Sequence, residues 1–360
     1  MTKKICFFNS SKTWGGGEKW HLDIAVRLKA KGYKVTAFAY GEGELAKRLI
    51  DRGIKVHKIK ISNLTFLNIF KVSRISRILK NENINTIILN LSSDMKAGGI
   101  AARKAKVEKI IYRRGSAIPV RNTTLNRHLF RNVITHIIAN SGETKNTILQ
   151  NNPGLFPEEK IKVIYNGIDI EKFDSQKSTA FDIPDRKGII LGNAGRMVEQ
   201  KAQKYLIEIA RELKNRKIPF KLLIAGQGRL FNELKDHTKN HGVEQDVVFS
   251  GFVEDIKGFM SSIDIFLLTS LWEGFGYAIV EAMAMRKPVI AFNVSSNPEI
   301  ITDGETGFLV NDLDIRKFAE KIEILYKNKD QRTVMGEKGR KKVEDMFSIT
   351  KTIEEVENVI

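Results

Sequence analysis

Short runs of apolar residues recur along the chain, each followed by a turn and then by a stretch in which apolar side chains fall every three or four positions. Lys4 to Ser10 (KICFFNS) is the first run. Beyond a glycine loop, Trp20, Ile24, Ala25 and Leu28 keep helical spacing, Gly32 ends that helix, and Tyr33 to Tyr40 resumes as a strand. The alternation continues through GELAKRLIDRGIKVHKI, NTIILNLSS, DMKAGGIAARKAK, KIIYRRG, THIIANS and GETKNTILQN. Runs that are apolar throughout mark strands covered on both faces, so the pattern predicts a mainly parallel, doubly wound α/β sheet. A second series starts with GIILGNAGRMVEQKAQKYLIEIARELK and continues through FKLLIAGQGRL and DVVFSGFV. Between the two series, 175–187 (SQKSTAFDIPDRK) is polar with one proline, as a linker should be. The predicted domains are therefore 1–174 and 188–348.

The densest stretch runs from Asp264 to Val310, DIFLLTSLWEGFGYAIVEAMAMRKPVIAFNVSSNPEIITDGETGFLV. It predicts a buried strand (Ile265 to Leu268), a glycine loop (Trp272 to Gly276), a helix (about Tyr277 to Met285), a strand (Val289 to Phe292) and a helix start at Pro298. Loops of this kind lie at the carboxyl ends of strands, where open α/β sheets bind ligands. Glu273 falls before the helix and Glu281 about one turn inside it, so both can face that crevice. Gly274 and Gly276 let backbone N–H groups at the positive helix end approach an anion. A ligand carrying both hydroxyls and phosphates suits this set; taken singly, Glu273 reads more readily as a cap on the helix and Glu281 as a solvated helix residue.

The E-x7-E string, followed by EAMA, KPVIAF, PEII at Pro298 to Ile301 and DGETGFLV, resembles the donor-binding half of the family 4 retaining glycosyltransferases of the GT-B fold. The likeness extends over nearly the whole chain. It implies two Rossmann-like, doubly wound domains with a cleft between them, and a final helix over about 349–360 that packs back on the first. By resemblance Glu273 would bond hydroxyls of the transferred sugar and Glu281 the ribose. Arg196 and Lys201, in the G-R-x4-K string, would clamp the diphosphate, while Gly251, Phe252 and Val253 would contact the nucleobase. Gly274, Phe275, Gly276 and Tyr277 would complete the donor contacts, and Gly16 and Gly17, with Gly15, would form the amino-domain glycine loop facing the donor. The family is thought to react on one face of the sugar, with the departing diphosphate helping to deprotonate the acceptor. The protein then supplies positioning and charge stabilisation, with Glu273, Arg196, Lys201 and Asp94 as the catalytic candidates. Asp94 stands in the region where many relatives carry His; it is read either as an acceptor-side polar group or as a cap on the next helix. Two departures are visible: Arg286 and Ala202 stand where the family usually has Gly.

Charge sharpens the picture. The formal net charge is +18, and residues 1–174 hold 32 Lys and Arg against 14 Asp and Glu, while the remainder is balanced. Such asymmetry points to an anionic partner, either nucleic acid or an acidic membrane surface. Ser62 to Asn85 (SNLTFLNIFKVSRISRILKNENIN) places Leu64, Leu67, Phe70, Ile75, Ile78 and Leu79 among Lys71, Arg74, Arg77 and Lys80. It is either a cationic amphipathic helix or a core-facing helix with a basic outer side. Arg113, Arg114, Arg121, Arg127, His128 and Arg131 form a second basic segment, read as lipid- or acceptor-facing or as a solvated loop.

Chemistry of other kinds is excluded or unsupported. There is no HExxH, paired CxxC or EF-hand spacing, so no metal and no cofactor beyond the donor co-substrate is expected. Asp312-Leu-Asp314 is read as helix capping, and no G-x-S-x-G occurs. Cys6 is expected to be a buried inert thiol. Without an apolar run of 18 residues or a signal peptide, the expected location is the cytoplasm, with the membrane face as a peripheral site. The expected substrates are a UDP-, GDP- or ADP-linked sugar and a lipid-linked or envelope glycan acceptor such as lipopolysaccharide core. The rivals are a nucleotide-sugar epimerase of the same fold and a nucleic-acid-binding protein. The latter is disfavoured by sparse aromatics among the basic runs and by the neutral second domain.

Overall fold

The computed structural model describes residues 3–186, 188–311 and 313–360. Two compact units emerge, Met1–Asn166 with Thr350–Ile360, and Gly167–Ile349. The division falls between Asn166 and Gly167 rather than within 175–187. That polar segment belongs to the second unit, where the Thr179 N–H donates to Asp255 Oδ2 (2.9 Å) and the Phe181 N–H to Ser262 Oγ (2.7 Å). Lys187 lies outside the described residues, as does Asp312 of the D-x-D string; Asp314 caps the helix Ile315–Lys327 through the Lys317 N–H.

The first unit is a seven-stranded sheet of β1 (Lys4–Asn9), β2 (Lys34–Ala39), β3 (Lys55–Lys58), β4 (Thr86–Leu89), β5 (Lys109–Arg114), β6 (His136–Ala139) and β7 (Ile161–Val163), in the order β3-β2-β1-β4-β5-β6-β7. Every pairing is parallel, with Ile5 opposite Val35 on one side and Thr86 on the other. The strand cores Ile5, Phe8, Ile87, Leu89, Ile110 and Ile137 are essentially inaccessible, as strands sandwiched between helix layers must be. The final helix, Ile349–Glu357, closes this unit. Ile353, Val356, Val359 and Ile360 are buried, Thr352 Oγ1 donates to the Tyr165 carbonyl (2.9 Å), and Lys31 pairs with Glu357 (2.6 Å).

The second unit is a six-stranded parallel sheet of β8 (Ile189–Ala194), β9 (Phe220–Ala225), β10 (Val247–Gly251), β11 (Ile265–Leu268), β12 (Val289–Phe292) and β13 (Gly307–Val310), ordered β10-β9-β8-β11-β12-β13. Its core joins Leu191, Leu222, Ile224, Leu267, Phe292 and Phe318. Each sheet winds outward from a central reversal, between β1 and β4 in the first and between β8 and β11 in the second. No helix among the described residues is long and apolar enough to cross a membrane.

The segment 62–85 differs from a simple amphipathic helix. A 3-10 turn (Thr65–Leu67) precedes the helix Ile69–Asn81, within which Val72, Ile75, Ser76 and Leu79 are buried. Leu64, Leu67 and Phe70 are exposed; the first two precede the Asn68 cap and Phe70 lies in the first turn of the helix.

Candidate functional site

At the β8/β11 reversal, helices depart to opposite faces of the sheet and leave a crevice outside the strand ends. The loop 195–202 leaves β8 and the loop 269–276 leaves β11, and the two are fastened together. The Leu271 N–H donates to the Gln200 carbonyl (2.9 Å), Gln200 Nε2 to the Trp272 carbonyl (2.9 Å), and Thr269 Oγ1 to the Ala202 carbonyl (3.2 Å). The neighbouring strand ends add two more turns. The Met197 N–H donates to the Gln227 carbonyl (2.9 Å) and the Gly226 N–H to the Gly251 carbonyl (2.6 Å). Gly226 has φ +134°, and a Cβ there would stand 1.9 Å from the Gly195 carbonyl oxygen, so only glycine allows the approach. Four loops, carrying Arg196, Lys201, Gly251, Phe252, Val253 and Glu273, thereby share one end of one sheet.

Glu273 is 4% exposed, and a carboxylate at that depth must be paired. Its Oε1 accepts from Lys201 Nζ at 2.5 Å and from Ser270 Oγ at 2.6 Å, while its carbonyl accepts from Ser296 Oγ at 3.1 Å. The two residues assigned by sequence to different parts of one ligand thus meet each other. Ser270 was not anticipated; its position three residues before Glu273, at the exit of an apolar strand, is the signal that could have found it. Arg196 is exposed, and its carbonyl is held by Gln203 Nε2 (2.9 Å). Glu281 is half-buried in the helix Tyr277–Ala284, with Gly276 at its N-cap and Gly274 buried before it. Phe252 is 65% exposed beside Gly251, which has φ +67°. The Phe275 ring is buried edge-on against Phe347 and Tyr277, 5.6 Å between centroids in each case.

The first unit has its own polar set at the β1/β4 reversal. Asn9 ends β1, Asn90 follows β4, and Glu18 lies in the first turn of the helix Gly16–Ala30, whose N-terminus carries Gly16 and Gly17. Glu18 Oε1 accepts from Asn9 Nδ2 and Asn90 Nδ2, both at 3.3 Å, and a Cβ on Gly17 would lie 3.0 Å from Asn90 Nδ2. Arg113 is not a surface charge: it is 3% exposed, donates from Nη2 to Asn166 Oδ1 (3.0 Å) and lies over the Trp20 ring at 5.2 Å. Asn9, Asn90 and Arg113 all sit at the carboxyl end of an apolar strand, the one sequence signal they carried.

Of the two readings of Asp94, its contacts fit the cap. It is fully buried, and its carboxylate accepts from Ser10 Oγ (2.5 Å), the Ser10 N–H (3.3 Å) and the Leu91 N–H (2.9 Å). Burial pushes its pKa up to about 7, against the pull of those donors.

Two parallel α/β units, each with polar residues gathered at its strand-order reversal, define the GT-B class of sugar-transfer folds. The model described as Glycosyltransferase Family 4 matches residues 14–172, and that described as Glycosyl transferases group 1 matches residues 175–342. The chain belongs to the family 4 glycosyltransferases. It is 32% identical over 237 residues to the capsular polysaccharide biosynthesis glycosyltransferase CapM of Staphylococcus aureus, covering 62% of this chain and 61% of CapM. It is 31% identical over 214 residues to the UDP-Gal:alpha-D-GlcNAc-diphosphoundecaprenol alpha-1,3-galactosyltransferase of Escherichia coli, covering 56% and 54%. The matched part of this chain thus spans less than two thirds of these relatives' length. In structure it is similar to Anabaena Alr3699/HepE, solved with UDP and glucose, at a TM-score of 0.84 and 22% identity, with 99% and 98% covered.

Proposed function

We propose that this chain is a retaining, metal-independent glycosyltransferase that moves a sugar from a nucleotide diphosphate to a lipid-linked or envelope glycan such as lipopolysaccharide core. It would work on the cytoplasmic side as a peripheral protein. The observation that carries the reading is the Lys201–Glu273 pair held among four loops at the β8/β11 reversal. A donor seated there presents its diphosphate to Arg196 and Lys201, whose charges offset the negative charge that grows on the leaving group. Glu273, oriented by Ser270, accepts bonds from sugar hydroxyls, and Glu281 accepts from the ribose. Because Lys201 touches both the carboxylate and the region assigned to the diphosphate, it links sugar position to leaving-group charge. The E. coli relative's diphosphoundecaprenol-linked acceptor and CapM's capsular role support an envelope acceptor. No observation favours an epimerase or a nucleic-acid partner.

A panel of UDP-, GDP- and ADP-sugars tests the donor assignment. One class should bind, and Glu281→Ala should weaken that binding by about 1.5–3 kcal/mol, the worth of a charged hydrogen bond. Unchanged affinity would remove Glu281 from the site. Transfer should survive EDTA and give a product with the donor's anomeric configuration by NMR. Loss on chelation with rescue by manganese, or inversion, would overturn those parts of the reading.

A further inference from the structure

Eight large apolar side chains are strongly exposed among the described residues, and four of them crowd into seven positions of the first unit: Leu64 (68%), Leu67 (65%), Ile69 (71%) and Phe70 (85%). The tip they form is not frayed. The Ser62 N–H donates to Thr65 Oγ1 (2.8 Å), Asn68 Oδ1 caps the helix by accepting the Lys71 N–H (2.9 Å), and Val72, Ile75 and Leu79 anchor that helix in the core. A folded protein holding four aliphatic and aromatic groups in water at one point has something to place them in.

The surroundings identify the partner's charge. Residues 52–81 contain eight Lys and Arg and no Asp or Glu. Behind the tip, Lys58, Lys60, Lys71 and Arg74 border a groove of about 310 Å³ floored by Ile59 and Ile75. An apolar tip alone would suit a protein partner, and cations alone would suit nucleic acid, whose bases need flat rings to stack on. Exposed apolar groups next to a groove lined by Lys and Arg fit an anionic bilayer, where acyl chains take the tip and phosphates meet the cations.

We propose that residues 64–70 insert into the interfacial layer of an anionic phospholipid membrane, with the groove beside Lys58, Lys60, Lys71 and Arg74 receiving headgroup phosphates. This deepens the proposed function, resting on it only for the idea that the acceptor lies at a membrane. Two forces then act in one site. The electrostatic part fades in 1 M salt, where the Debye length is about 3 Å, whereas the inserted part persists.

The test uses the full chain and vesicles of phosphatidylglycerol and phosphatidylcholine. The unmodified protein should float with the vesicles at low salt and retain a bound fraction in 1 M NaCl. Ile69→Ser/Phe70→Ser, both at exposed positions, should lose that salt-resistant fraction at least tenfold, and Lys71→Gln/Arg74→Gln should lower low-salt binding towards the salt-resistant fraction while leaving that fraction in place. Cys6 is fully buried, so Asn63→Cys offers one labelling position that leaves the tip intact; an environment-sensitive fluorophore there should shift to the blue on these vesicles and not with inorganic phosphate. Vesicle binding by Ile69→Ser/Phe70→Ser equal to that of the unmodified protein, or no blue shift at position 63, overturns the inference. So does a change in its size-exclusion elution without a change in flotation, which would make the tip a face between copies of the chain. A protein that floats as expected yet transfers no sugar sinks the acceptor assignment alone; one that transfers sugar but ignores vesicles sinks the insertion alone.

Discussion

Ala202 and Arg286, the two positions where the chain departs from the family's glycines, both adopt left-handed backbone, with φ of +44° and +57°. A side chain there costs roughly 1–2 kcal/mol, partly offset because glycine loses more freedom on folding. Arg286→Gly should therefore stabilise the protein by up to about 1 kcal/mol, since the exposed Arg286–Glu337 pair it gives up is worth little. A lower denaturant midpoint for this variant would refute the strain argument. Ala202→Gly should gain similarly while loosening the turn behind Lys201. Asp94 sets a pH signature. Its folded pKa lies above its unfolded value, so the folded state binds the extra proton and stability falls as pH rises from about 4 to 7. Asp94→Asn should flatten that part of the curve, read as the difference between the two proteins' unfolding free energies across this window. Positive φ and buried titration were not legible in the sequence. Both are set by neighbours that the chain brings back from afar, such as Ser10 beside Asp94, 84 positions away.

The helix Lys329–Met346 contains two glycines whose fates should differ. A Cβ on Gly336 would lie 2.0 Å from the Arg286 carbonyl oxygen, whereas one on Gly339 would meet Met283 Cγ at 3.5 Å, an ordinary contact. Alanine favours helix by about 1 kcal/mol over glycine. Gly339→Ala should thus stabilise by up to that amount and Gly336→Ala should destabilise by more than 1 kcal/mol, both measured by thermal or denaturant unfolding. The same sign for both would show that propensity, not packing, governs this helix. Elements of the sheets were legible because parallel strands buried on both faces are apolar throughout, as in Ile265 to Leu268. The tip at Leu64–Phe70 was not, since exposed and core-facing apolar residues share one spacing and only the sheet decides which of them it covers. Lys201 and Glu273 were each visible in their strings, but the contact between them spans 72 positions and had no local trace.

Across the whole molecule, the +18 charge belongs to one unit: with its returning helix the first unit carries 32 Lys and Arg against 14 Asp and Glu, and the second is balanced. That return also orders the protein in time. Thr350–Ile360 completes a unit begun 350 positions earlier, and Val356 and Ile360 are among its most buried residues. During synthesis, at roughly 5–20 residues per second, the second unit has all its strands outside the ribosome before the first has its closing helix. The first-made half should therefore remain an unfinished, protease-sensitive intermediate on stalled ribosomes even when residues 1–166 have fully emerged. Supplying residues 349–360 as a peptide should protect it. Equal resistance with and without the peptide would mean the helix seals the unit without being needed to form it.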